Sequence, residues 1–176
     1  MIDKHTRVPL RGDLRIIRRD ATDAGILSVW EKKNVITYKG TEGLVYLLAP
    51  NAALGAGIQE QTQIKSMRFG TSSATPQRTD IGLTAEATVA SVPVRVQLSD
   101  ANRIIGVSGT VEFVANMASG YGNGNTYREA GLFTRGTDDD PQIATSCEMF
   151  SRQIFPDQVK NAAVTLEFRW RITFTV

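Results

Sequence analysis

VTLEFRWRITFTV, residues 164–176, alternates without a break. Val164, Leu166, Phe168, Trp170, Ile172, Phe174 and Val176 are apolar; Thr165, Glu167, Arg169, Arg171, Thr173 and Thr175 between them are polar or charged. Successive side chains of a strand point to opposite faces, so the stretch predicts one long strand with a buried face and a wet face. Such a strand at the end of the sequence must be held by pairing, because free termini fray. The expectation is an antiparallel sheet with this strand near its centre.

Upstream, shorter strands are expected in Gly25–Thr37, Ile64–Phe69, Val92–Leu98, Ile105–Phe113, Tyr127–Thr134 and Ile143–Arg152. Pro93 cannot donate to a ladder and places its strand at an edge or near a strand start. Ser99–Asn102 reads as a hairpin turn, with Ile105, Val107, Val111 and Phe113 sharing one face of the strands beyond it. The period changes once. Leu44, Leu47 and Leu48 fall at helical spacing, with Thr41 as the N-cap and Pro50 as the stop. Gly70–Asp80 and Ser119–Asn125 are rich in turn residues and read as loops, the second as a flexible one. The fold class is therefore mainly β: an antiparallel β-sandwich, jelly-roll-like, with one helix and an extended N-terminal arm.

Residues 1–23 form that arm in this reading, with a short strand open to Leu14, Ile16 and Ile17 within it, and residues 24–176 form the β-sandwich domain. The arm is basic: Lys4, Arg7, Arg11, Arg15, Arg18 and Arg19 outnumber Asp3, Asp13 and Asp20, with Pro9 and Gly12 interrupting it. An arm lying across a neighbouring subunit, through Arg7, Leu10, Arg11, Leu14 and Arg15, is favoured over one that contacts nucleic-acid phosphates. Its basic residues are mixed with acids, and no aromatic residue lies near enough for base stacking.

The bulk composition narrows the function classes. The 176 residues carry a net charge of +2, too small to argue for nucleic acid or a membrane surface. Cys147 is the only cysteine, so no internal disulfide forms, which fits a reducing cytoplasm. No apolar run approaches a membrane span, and the first residues do not read as a signal peptide. The single histidine, His5, leaves no material for a histidine-based triad or an ordinary zinc site.

The remaining polar clusters favour structure over chemistry. Gly120, Gly122 and Gly124 have the wrong spacing for a phosphate loop and precede a strand, not a helix. Asp138–Asp140 reads as a solvated hairpin tip without calcium-loop spacing. Cys147 lacks an activating base and reads as a half-buried strand residue. Glu129 stands inside a strand of small and apolar residues, so it must be paired; Arg68, Arg152 and Arg169 are the candidate partners in a structural ion pair. The residues supply no catalytic group, no metal set and no cofactor fingerprint, and the chain reads as a non-enzyme.

A wider pattern runs through Lys33-Asn-Val-Ile-Thr37 before Gly40, Phe69-Gly-Thr-Ser72, Pro76, Thr79-Asp-Ile-Gly-Leu83, Arg128-Glu-Ala-Gly-Leu-Phe133, Met149-Phe-Ser-Arg152, Phe155-Pro156, Lys160 and the final strand Leu166–Phe174. Taken in order, these segments resemble a group of small bacteriophage virion proteins and fibre N-terminal domains. Ser72 and Ile81-Gly82 depart from that pattern, both in loops. The resemblance implies a structural, non-enzymatic role in a virion assembled in the host bacterial cytoplasm. It implies partners that are copies of the chain itself, as a trimer or ring, together with other virion proteins. The sequence stops at the final strand, where a fibre shaft would follow. The expectation is therefore an accessory or adaptor assembly on the tail, collar or baseplate, where fibres attach. Head decoration of the capsid is the first alternative and a carbohydrate-binding β-sandwich the second.

Overall fold

The computed structural model describes residues 10–38, 40–41, 63–106, 109–134 and 148–174. Arg7, Leu44, Leu47, Leu48, Val107, Asp138–Asp140, Cys147 and Val176 lie outside them.

Among the described residues there are twelve strands: β1 Leu10–Asp20, β2 Ile26–Lys33, β3 Val35–Ile36, β4 Ile64–Gly70, β5 Thr88–Val89, β6 Val92–Pro93, β7 Arg95–Gln97, β8 Arg103–Gly106, β9 Thr110–Met117, β10 Thr126–Thr134, β11 Met149–Val159 and β12 Val164–Phe174. They form an antiparallel β-sandwich. A front sheet runs in the order β2-β1-β12-β9-β8, a back sheet in the order β3-β11-β10-β4-β7, and β5 and β6 make a small hairpin.

The final strand is the middle strand of the front sheet. Leu166, Phe168, Trp170 and Ile172 are almost completely buried, and Phe174 is half-buried at the end. Phe168 packs against Phe69 and Phe155 from the back sheet, with ring centroids 4.6 and 5.9 Å apart. The buried indole of Trp170 finds its acceptor in the Asn34 side-chain oxygen, while the Asn34 amide nitrogen donates to Gly12 O at 2.5 Å. Asn34 is the single residue between β2 and β3, which lie in different sheets, so this side chain pins the corner where the chain crosses over. Gly12 is needed for the same reason, because a Cβ there would collide with the Asn34 amide.

The reading of residues 1–23 as an arm is corrected over Leu10–Asp20 by β1; residues 1–9 lie outside the described residues. Leu10–Asp20 is an interior strand, paired with β12 on one side and β2 on the other. Leu14, Ile16 and Ile17 are buried within their own subunit. The charges concealed this, because Arg11, Asp13, Arg15 and Arg19 alternate with the core residues and occupy the wet face.

Three other expectations are corrected. Ser99–Asn102 does not turn a hairpin: a short 3-10 turn at Asp100–Asn102 carries the chain from β7 in the back sheet to β8 in the front sheet. Ile105 is not a core residue but is 85% exposed, because β8 is an edge. The strand expected at Ile143–Arg152 is described from Met149 onward and runs through Pro156 to Val159. Pro156 is tolerated because the register with β10 shifts between Tyr127 and Glu129, a bulge that leaves Phe155–Asp157 outside the regular ladder. The helix expected from Thr41 to Leu48 lies outside the described residues beyond Thr41; just before it, Thr37 Oγ1 accepts from Gly40 N at 3.0 Å and Thr41 N donates to Thr37 O at 3.1 Å.

Candidate functional site

The outer face of the back sheet is crossed by the segment 71–87, here called the strap. The strap closes on itself where Thr71 N donates to Ala85 O at 2.8 Å, and it is tied to β4 where Ala87 N donates to Phe69 O at 2.8 Å. Between them lies a cluster of buried charge. Glu129, on β10, is fully buried. Its Oε2 meets Arg152 Nη2 at 2.6 Å and Nε at 2.8 Å, and its carboxylate accepts from Thr84 N at 3.2 Å and Ala85 N at 2.8 Å. Arg152, on β11, reaches past Glu129 into the strap. Its Nη1 meets Asp80 Oδ2 at 2.7 Å, and its Nη2 donates to Ala74 O at 3.0 Å and Thr84 Oγ1 at 2.8 Å.

Local sequence explains why the cluster fits. Gly70 stands opposite Glu129 and Gly131 opposite Arg152, so the two large side chains have glycines beside them. A Cβ on Gly131 would press on Leu83 of the strap, on Met149 and on Phe133. The cluster therefore joins two elements, a rigid sheet and a strap that has little apolar material of its own. Every charge in it is matched by an opposite charge and by neutral donors or acceptors, which is the condition under which buried ions are tolerated.

A second anchor fixes the glycine-rich loop. Lys160 is buried, and its Nζ donates to Asn123 Oδ1 at 2.6 Å, Asn161 O at 3.0 Å and Ser119 O at 3.3 Å. Burial holds its pKa below the ordinary lysine value. Tyr127 OH donates to Gly122 O at 2.6 Å, and Gly124 N donates to Lys160 O at 3.0 Å. The loop read as flexible is thus tied down by a buried ammonium and a buried phenol. Burial pushes the Tyr127 pKa up to about 12, chiefly by desolvating the phenolate.

Of the residues singled out from the sequence, the structure brings Glu129 and Arg152 together and leaves Arg68 apart. Register does not separate the two, because Arg68 and Arg152 both lie opposite Gly131, on the two strands that flank β10. Arg68 instead stacks over the Phe133 ring at 4.6 Å, with Nη1 3.7 Å from Glu86 Oε1. Arg169 is on the front sheet, where it meets Glu112 at 2.9 Å and Glu167 at 2.5 Å. Leu14 packs into its own core and is not available to a neighbour, Leu10 is half-buried opposite Phe174, and Arg11 and Arg15 are exposed. Arg15 lines a shallow, charge-balanced depression of about 140 Å³ with Asp13, Glu31, Glu112, Arg169 and Arg171.

Asp80, Thr84 and the anchoring role of Lys160 were not legible from residue chemistry alone. Asp80 sits in a turn-rich stretch, and nothing local distinguishes it from an ordinary solvated aspartate. Among the described residues, no group of three or more His, Cys, Asp or Glu side chains is placed to hold a metal ion. No described helix is long and apolar enough to cross a membrane. No protein-family model, no curated protein and no solved structure matches the chain.

Proposed function

We propose that this chain is a non-enzymatic structural protein of a bacteriophage particle. It serves in an accessory or adaptor assembly on the tail, collar or baseplate, built from copies of itself and docked on other virion proteins. One observation carries the reading. Four of the separate segments on which the resemblance rests converge on one buried cluster: Gly70 from Phe69–Ser72, Asp80 and Leu83 from Thr79–Leu83, Glu129 and Gly131 from Arg128–Phe133, and Arg152 from Met149–Arg152. Their polar groups are spent on one another. A buried, internally satisfied carboxylate has no lone pair or proton to offer a substrate, so the pattern describes how a shape is held and not how a reaction is run.

The experiment is mass spectrometry and antibody labelling of purified particles from a lysate in which the gene is expressed. The expected result is the chain at a fixed stoichiometry in intact particles, with label at the tail end of the head or below it. Absence from purified particles, with the protein remaining free in the lysate, would overturn the reading.

A further inference from the structure

Arg68 and Arg152 flank Gly131 on neighbouring strands, yet their guanidinium groups are used differently. The Nε–Nη2 edge of Arg152 is filled by the Glu129 carboxylate. The same edge of Arg68 has no acceptor: Nε and Nη2 are both buried and without a hydrogen-bond partner. Ser66 Oγ is a third buried polar atom with no partner, two residues away and therefore on the same face of β4. Arg68 is 6% exposed and Ser66 1%. Glu86 stands at the other end of the guanidinium, 3.7 Å from Nη1, which is beyond hydrogen-bond range.

Buried N–H groups are rarely left without acceptors, and those of a cation least of all. The plane of this guanidinium is also fixed, because it lies over the Phe133 ring. Arg95 lies directly opposite on β7. Its backbone N and O are both taken by Tyr121 OH, at 3.0 and 2.5 Å. The Arg68–Arg95 pair is therefore the non-hydrogen-bonded kind, in which side chains come closest. A second positive charge thus borders the same place.

We propose that Ser66 and Arg68 form a carboxylate-binding site on the outer face of the back sheet. The two oxygens of a carboxylate match the two parallel N–H bonds of the Nε–Nη2 edge, and the Ser66 hydroxyl donates a third bond. The carboxylate comes either from a free small acid or from an acidic side chain of a second copy of this chain. The site goes beyond the structural role proposed above and stands whether or not the protein belongs to a particle.

The test is thermal unfolding of the full chain in chloride and in acetate at constant ionic strength, at two protein concentrations about 100-fold apart. For a free acid, Tm rises with acetate and saturates, independently of protein concentration. For a side chain from a second copy, Tm in chloride rises with protein concentration. Either response should vanish in Arg68→Met and be about ten-fold weaker in Arg68→Lys, which keeps the charge but loses the two-pronged edge. A wild type that responds to neither variable, or variants that respond like the wild type, would overturn the site. Should Arg68→Met fail to fold, Arg68→Lys and the proton shift of the Arg68 Nε–H decide. A downfield move on adding acetate, or on concentrating the protein, is expected, and a resonance that stays in place under both rejects the proposal.

Discussion

Gly70 lies directly opposite Glu129, and the space its absent side chain leaves is the space the carboxylate fills: a Cβ on Gly70 would stand 2.4 Å from Glu129 Oε1 and 2.5 Å from Ala85 O. One of those neighbours is backbone and the other is locked by Arg152, so neither can give way cheaply. Gly70→Ala should therefore eject Glu129 from its partners and cost about 3–5 kcal/mol, the usual penalty for breaking a buried pair. Denaturant unfolding measures it; a loss below about 1 kcal/mol would mean that the strap moves freely.

Glu129→Gln should destabilise by a similar amount, about 3–5 kcal/mol, because it leaves the Arg152 guanidinium buried without its main counter-charge. Replacing both Glu129 and Arg152 with apolar residues should recover only part of the loss. Thr84 N, Ala85 N and Asp80 would still be stranded, since they use the same pair. Limited proteolysis should show the strap cut before the sandwich in all these variants.

Trp170→Ala should cost about 3–5 kcal/mol, through loss of buried area and the cavity left at the sheet centre. Asn34→Ala tests the corner separately, at about 1–3 kcal/mol, by orphaning the indole N–H. Both are readable by urea unfolding with unchanged m-values.

Tyr127 gives a pH signature. Its pKa is near 10 in the unfolded chain and raised to about 12 in the fold. Between those values the unfolded chain has already released the proton that the fold retains. The stability gained from the neutral phenol is present in full below pH 10 and is lost as pH rises through the folded value. Wild type minus Tyr127→Phe should therefore decline from about pH 10 upward in denaturant titrations. A difference that stays flat through that range would contradict the burial of the hydroxyl.

The β5–β6 hairpin holds a removable strain. Ala90 and Ser91 at its tip have φ of 49° and 67°, the left-handed region that suits glycine and asparagine. Ser91→Gly should stabilise by roughly 0.5–1 kcal/mol, the relief of left-handed strain less the added chain entropy of glycine. A melting shift in the opposite direction would show that the Ser91 side chain is needed there.

Alternation made β12 readable, since its wet positions are all polar and its dry ones all apolar, with no compromise along its length. β1 obeys the same period, but Gly12 and Arg18 occupy positions on the dry face and Ile17 a position on the charged face. Those exceptions, with the other arginines and the lysine nearby, gave it the composition of an arm. The Glu129–Arg152 pair followed from chemistry alone, because a strand glutamate among apolar residues demands a cation. Choosing among the arginines required tertiary contacts: Arg68 and Arg152 lie opposite the same glycine, and only Arg152 is met by Asp80, Ala74 and Thr84 of the strap. Asp80 and Lys160 depend on contacts between segments distant in sequence, and turn composition says only that such segments bend.

Leu10 sits opposite Phe174 and Asp20 opposite Val164, so among the described strands the first to leave the ribosome takes as its neighbour the last. Until β12 is made, the β1–β2 hairpin must wait with Leu14 and Ile16 unshielded. Closing so long a loop places this protein among slow, high-contact-order folders, exposed to aggregation during synthesis. Soluble yield should therefore respond more to expression temperature and chaperone supply than the finished sandwich's stability would imply.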